Sequence, residues 1–157
     1  MTETSPTKPP LPAFDPQNCQ TYAASCHCGS VQYSVLLSPP LAQWKVVSCN
    51  CSICTRNGYL LVYPERSQLQ VKSGEDMLRD YSFGVKRVLH RFCSRCGSAV
   101  WLDPRMGEFG DTPPDLLGMN VGGICPVGVV NVRDSGLTGA GSYVPWCSSG
   151  GVGRCPC

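Results

Sequence analysis

Three short segments gather much of the sulfur in this chain: Cys26-His27-Cys28, Cys49-Asn50-Cys51-Ser52-Ile53-Cys54 and Cys93-Ser94-Arg95-Cys96. Twenty residues separate the first from the second, and 38 separate the second from the third. Thiolates one or two residues apart can reach a common small ion without distorting the backbone. Zinc binds sulfur at about 2.3 Å in a tetrahedron; a closed structural site uses four ligands, and a catalytic site keeps three and an open position. The seven cysteines therefore divide unequally. A CxC and a CxxC, Cys26, Cys28, Cys93 and Cys96, make one closed four-sulfur site. The C-x-C-x-x-C trio, Cys49, Cys51 and Cys54, is one ligand short. A substrate thiol suits the vacant position, because coordination to zinc deprotonates it. His27, His90 or Cys125 could instead close the trio from within the protein.

Twelve cysteines could also build a disulfide framework, which requires an oxidising compartment. The first ten residues, Met-Thr-Glu-Thr-Ser-Pro-Thr-Lys-Pro-Pro, lack the charged start and apolar stretch of a secretory signal. Reduced, clustered thiols and a cytoplasmic location, with the nucleus as the alternative, are the expectation. The net charge of +2 is small and scattered, unlike the basic stripe of a nucleic-acid binder. No apolar run approaches the length of a membrane span. Ser/His/Asp arrangements, phosphate-binding glycine loops and dinucleotide fingerprints are absent. His90 lies between apolar neighbours and reads as a packed, hydrogen-bonded residue; His27, between two ligands, reads as a surface group. Arg56, Asn57, Lys86 and Arg87 could meet an anionic substrate or simply face solvent.

The elements that must position these groups are mostly strands. At 157 residues, with 17 glycines and 14 prolines, one domain rich in turns is expected. Val31, Tyr33, Val35 and Leu37 alternate with polar or outward positions, a period of two. Trp44–Val47 and Tyr59–Tyr63 are short β-branched and aromatic runs. Val88, His90 and Phe92 share one face of a strand leading into Cys93. Cys26 and Cys28, if extended, would present both sulfurs on one face, and Gly29 and Gly97 would let the backbone turn after each ligand pair. Leu116–Val121 and Val127–Val132 are two later apolar pieces. Gln68–Met77 is too interrupted to assign, and helical periodicity is nearly absent. The fold class is all-β or β-dominated.

Residues 1–18, with five prolines, read as a disordered tail. Residues 19–133 form the zinc-binding domain. Residues 134–157, with six glycines and only Asp134 and Arg154 charged, form an atypical tail with loose Cys147, Cys155 and Cys157. The change of composition there is abrupt enough to suggest a splicing or gene-model artefact, which peptide coverage of Tyr143–Arg154 tests.

Ser25-Cys26-His27-Cys28-Gly29-Ser30-Val31, the trio segment and Phe92-Cys93-Ser94-Arg95-Cys96-Gly97 resemble the glutathione-dependent formaldehyde-activating enzyme family, which includes centromere protein V. Asn131-Val132-Arg133 is similar to the end of the family domain. The resemblance implies an Mss4-like fold of several small, coiled antiparallel sheets tied by zinc. It also implies structural Zn2+ on Cys26, Cys28, Cys93 and Cys96, and a second, catalytic-type Zn2+ on Cys49, Cys51 and Cys54. The implied activity is that of a carbon–sulfur lyase acting on glutathione or an adduct of it, as in the synthesis of S-hydroxymethylglutathione. The alternatives are a non-enzymatic zinc-stabilised interaction module and a metal-trafficking or redox thiol protein.

Overall fold

The computed structural model describes residues 11–110 and 114–124. Its strands are β1 (Gln20–Ser25), β2 (Gln32–Leu37), β3 (Val47–Ser48), β4 (Leu60–Val62), β5 (Leu69–Ser73), β6 (Leu78–Tyr81), β7 (Leu89–Cys93), β8 (Ala99–Asp103) and β9 (Gly118–Asn120). A short α1 (Ser52–Asn57) and several 3-10 turns complete the described residues. Three strands pair in the order β1-β2-β5, and six in the order β3-β4-β9-β8-β7-β6, all antiparallel. The β-dominated, Mss4-like expectation holds.

Alternation in β2 is the clearest cause of the packing. Val31, Tyr33, Val35 and Leu37 are all at most 2% exposed, and the opposite face of the strand is partly wet. The buried row meets Val62, Val100, Trp101, Leu117 and Met119 of the larger sheet, as two half-apolar sheets must to hide both faces. Tyr33 packs edge-on against Trp101, with centroids 5.5 Å apart and planes at 70°, an arrangement the ring quadrupoles favour.

Several expectations need correction. Trp44 does not lie in a strand: Pro40 begins a 3-10 turn over Leu41–Gln43, and of the Trp44–Val47 run only Val47 falls in β3, which continues to Ser48. Gln68–Met77 holds a regular strand, β5, between two 3-10 turns. Its two apolar residues, Leu69 and Val71, alternate with exposed Gln70 and Lys72 but are only half-buried, and two apolar positions are too few to stand out as a period. The last member of the trio, Cys54, sits inside α1, a helix not expected from the near absence of helical periodicity. Six residues are too few to display helical periodicity.

Of the N-terminal tail, residues 11–18 have no helix or strand. They are fastened to the body where the Asp15 amide donates to Ser38 Oγ at 2.8 Å and that hydroxyl donates back to the Asp15 carbonyl at 3.0 Å. Residues 1–10, the 127–132 apolar piece, Cys125, Asn131–Arg133 and the 134–157 tail lie outside the described residues. No helix among the described residues is long and apolar enough to cross a membrane.

Candidate metal centres

The first two ligand pairs occupy the turns of two hairpins, one from each sheet. Cys26 and Cys28 sit between β1 and β2, and Cys93 and Cys96 between β7 and β8. Both turns are closed by backbone hydrogen bonds, with the inner bond of the second one residue wider than that of the first. The Cys26 amide donates to the Val31 carbonyl at 3.0 Å and the Gly29 amide to the Cys26 carbonyl at 3.0 Å. In the second turn, the Cys93 amide donates to Ser98 at 3.0 Å and the Gly97 amide to Cys93 at 2.8 Å. Gly29 and Gly97 each have φ of 73°, in the left-handed region where a Cβ is disfavoured. Cys26 and Cys28 are therefore not extended. β1 ends at Ser25, because continuing straight would carry the chain past β2, and a tight turn brings the sulfurs together instead.

The four sulfurs lie within 4.8 Å of one another. Cys26 and Cys28 Sγ are 3.6 Å apart, and Cys28 and Cys93 Sγ 3.8 Å. A tetrahedron with metal–sulfur bonds of about 2.3 Å has edges of about 3.8 Å, so the spacing fits a bound ion and is far longer than a disulfide bond. The surroundings treat the sulfurs unequally. Burial pushes the Cys26 thiol up to about 11, although the Val31 amide donates to its sulfur at 3.3 Å. Cys28 reaches the surface, where the Ser30 hydroxyl, 3.2 Å away, lowers its thiol. Partial burial opposes the charge on Cys96, but hydrogen bonds from Ser98, whose Oγ is 3.3 Å from the sulfur, prevail and hold it at about 5. Four sulfurs this close would repel as thiolates; a cation among them removes the conflict.

Cys49, Cys51 and Cys54 are also brought within 4.8 Å of one another. Cys49 leaves β3, Cys51 caps the start of α1, and Cys54 lies one turn in. The helix stops at Gly58, with φ of 60°, whose amide donates to the Cys54 carbonyl. Cys54 is 3% exposed among Tyr59, Leu61 and Leu102, whereas Cys51 is open to solvent. Burial pushes the Cys54 thiol well above its ordinary range, and the Cys54 amide lowers the Cys51 thiol. The trio is thus sealed on one side and open on the other. Among the described residues no histidine, carboxylate or further cysteine joins it.

Of the proposed capping groups, His27 is exposed and outside both sulfur sets. His90 is buried beside Tyr59, with rings 6.0 Å apart and planes within 7°. It is packed as expected but not hydrogen-bonded as expected: its Nδ1 is sealed from solvent and has no hydrogen-bond partner among the described residues. Arg56 donates to the Ser52 carbonyl at 2.9 Å and closes its own helix. Asn57 donates to Tyr59 Oη at 3.1 Å, and the Lys86 and Arg87 carbonyls accept from Arg105. Sequence reasoning missed Tyr59, whose burial against Cys54 depends on a helix too short to read. It also missed the clamp in which Arg66 holds Asp103 at 2.7 and 2.8 Å and Asp115 at 2.7 Å. Partners 37 and 49 residues apart leave no local signal.

The model of the glutathione-dependent formaldehyde-activating enzyme family matches residues 21–112, more than half of the chain. The chain belongs to that family. All seven clustered cysteines fall inside the matched span, and Asn131–Arg133 falls beyond it. Among relatives of the family member described here, a Halomonas elongata protein named as a putative glutathione-dependent formaldehyde-activating enzyme is 32% identical over 93 residues. That match covers 54% of this chain and 57% of the relative, so the chain spans little more than half of that protein's length. The crystal structure of a Rhodobacter sphaeroides protein is 31% identical, with a TM-score of 0.57 over 68% of this chain and 90% of that one.

Proposed function

We propose that this protein is a zinc-dependent, carbon–sulfur lyase-like enzyme that joins a glutathione-type thiol to an aldehyde, in the manner of S-hydroxymethylglutathione synthesis, and reverses that addition. The observation that carries the reading is the trio: three sulfurs within 4.8 Å of one another, with Cys54 buried and Cys51 open. In this reading Cys26, Cys28, Cys93 and Cys96 hold a structural Zn2+, and Cys49, Cys51 and Cys54 hold the second, both within a domain of residues 19–133. The three thiolates would hold a Zn2+, and because such ions usually take a fourth donor, the incoming thiol could supply it. Zinc bound there would supply the Lewis acidity that makes a thiol a thiolate at neutral pH.

The chain's own residues set the direction of approach. Tyr59, Leu61 and Leu102 cover Cys54 and exclude water behind it, so the thiol enters from the side of Cys51. Tyr59 Oη accepts from Asn57 and keeps its own proton for donation. Burial holds that phenol above its ordinary value, so it stays neutral throughout the physiological range. A reducing compartment, cytoplasm or nucleus, suits eight free thiols among the described residues.

Zinc stoichiometry measured with and without glutathione tests the reading. The Cys51→Ser variant should stay folded, lose one equivalent of zinc and lose glutathione binding. A Cys51→Ser protein that retains both zinc and thiol binding would remove the trio from the mechanism.

A further inference from the structure

A cavity of about 290 Å3 lies against α1, the helix that carries Cys54, with Ile53 and Asn57 in its wall. None of the three cysteines lines it, but it shares Ile53, Tyr59 and Ala99 with the apolar cluster packed around Cys54 and Cys49. The wall also includes Phe92 and Tyr81, and its two polar groups are Asn57 and His90. None of the lining residues carries a formal charge at neutral pH, since burial holds His90 below its ordinary value. Glutathione has two carboxylates and an ammonium group, and burying such groups without partners is costly. Its peptide portion does not suit this space. The size is also wrong for a one-carbon aldehyde, which is about twice the volume of a water molecule of ~30 Å3 and would leave most of the cavity empty. The volume lies at the lower edge of the roughly 300–1,000 Å3 typical of small-molecule sites.

The geometry points to an electrophile subsite: we propose that the cavity takes the side chain of a planar, apolar aldehyde, aromatic or conjugated, whose carbonyl oxygen accepts a hydrogen bond from His90 Nε2. This rests on the thiol–aldehyde reading above and names its second substrate. Aromatic walls argue for a flat occupant. His90 is stacked near Tyr59 and, at 5.5 Å and 27°, Phe83; Phe83 in turn stacks on Tyr81 at 5.8 Å. Tyr81 and Phe83 are 50% and 44% exposed, an apolar rim through which such a molecule would enter.

The tautomer follows from the ring's surroundings. A buried N–H without an acceptor is rarer than an unsatisfied acceptor, and Nδ1 is buried with no hydrogen-bond partner among the described residues. The proton therefore resides on Nε2, and the ring lines the cavity as a neutral donor. In the addition, the thiol gives its proton to solvent on becoming a thiolate, a sulfur lone pair forms the S–C bond, the carbonyl π pair moves to oxygen, and that oxygen takes a proton back from solvent, so no net proton is gained or lost. No oxidant or reductant is needed. A donor held at the developing oxyanion stabilises the transition state more than the ground state.

Benzamide, a planar carbonyl compound that cannot add a thiol, is the probe. With the full-length, zinc-loaded chain, benzamide should move the 15N resonance of His90 Nε2, with the ring already in the Nε2–H form. Affinity should weaken about five- to tenfold in His90→Phe, the value of one hydrogen bond, and at least as much in the cavity-filling Ala99→Leu. Unmoved His90 resonances at millimolar benzamide, an Nδ1–H tautomer, or equal affinity in both variants would overturn the inference. Benzaldehyde and formaldehyde, each with glutathione, separate the two readings. Benzamide binding with no adduct from either aldehyde removes the thiol-transfer reading and leaves the binding pocket. Formaldehyde adduct without benzamide binding removes the subsite and leaves the reaction.

Discussion

Replacing Cys93 with serine tests whether the four-sulfur centre holds the fold together. Cys93 is completely buried, and its sulfur is 3.8 Å from that of Cys28, across the join between the two sheets. A structural zinc contributes about 10–16 kcal/mol in zinc-finger peptides, or about 2.5–4 kcal/mol per thiolate when shared evenly. A serine hydroxyl left buried without a partner adds about 1–3 kcal/mol. The expected loss is therefore about 3.5–7 kcal/mol, against a net stability of about 5–15 kcal/mol for a typical domain. Cys28→Ser removes the same ligand share from an exposed position, where water can satisfy the hydroxyl, and should lose about 1–3 kcal/mol less. Urea unfolding of both variants, followed by circular dichroism and paired with zinc stoichiometry, measures the difference. A Cys93→Ser protein with an unchanged midpoint and full zinc content would refute the reasoning, as would an identical loss in both variants.

Gly74→Ala should lower stability by at least about 1–3 kcal/mol, the cost of a strained backbone position: Gly74 has φ of 77°, and a Cβ there would lie 1.9 Å from the Ser30 carbonyl oxygen. An unchanged thermal midpoint would show that the β2–β5 packing is looser than the structure shows. Arg66→Ala should cost about 1–3 kcal/mol, because it leaves Asp103, 5% exposed, without its bidentate partner. Chemical denaturation checks this, and the half-exposed guanidinium keeps the expectation modest. Burial opposes the charge of Asp103, yet the Arg66 bonds prevail and hold its carboxyl below the ordinary range. With the folded value depressed, the stabilisation is present at neutral pH and disappears as pH falls below about 4 through the lowered value. Asp103→Asn should therefore flatten the acid limb of stability against pH, and an unaltered limb would remove Asp103 from it.

Where chemistry depends on neighbours in the sequence, it was legible. Val31, Tyr33, Val35 and Leu37 declared β2 because each step of two returns to the buried face. Gly29 and Gly97 declared their turns because few other residues tolerate the required φ. The grouping of Cys26 and Cys28 with Cys93 and Cys96 followed from ligand number, and the structure brings those four sulfurs together. Where conformation depends on distant partners, the sequence was silent. β5 offers only two apolar positions, Leu69 and Val71, too few to stand out as a period, and α1 is shorter than two turns. Asp103 is an ordinary surface-looking carboxylate until Arg66 is folded against it. His90 was read from its apolar neighbours, which predicts packing but not which nitrogen is stranded.

On the function proposed above, the difference in reach between the two sulfur sets would suit one to stability and the other to turnover. Cys28 and Cys93 are 65 residues apart, and an ion between them closes a loop through both sheets. Cys49 and Cys54 bracket one short turn and helix, already ordered by Gly58 and by burial against Tyr59. Loop-closure entropy grows by about 0.6 kcal/mol per doubling of length, so the long closure is worth about 2 kcal/mol more than the short one. The long closure also joins the two sheets, which otherwise meet through packing and a few hydrogen bonds, among them His27 N–H to Ser98 Oγ at 3.2 Å. Emptying or refilling the trio changes little of the backbone's freedom, whereas emptying the four-sulfur centre releases two hairpin turns at once. A position that must exchange ligands on every turnover is therefore best placed on the local motif. Zinc removal by a graded chelator should proceed in two steps: the trio first, with the fold intact, and the four-sulfur centre second, together with unfolding. Loss of both ions in a single step concurrent with unfolding would contradict that division.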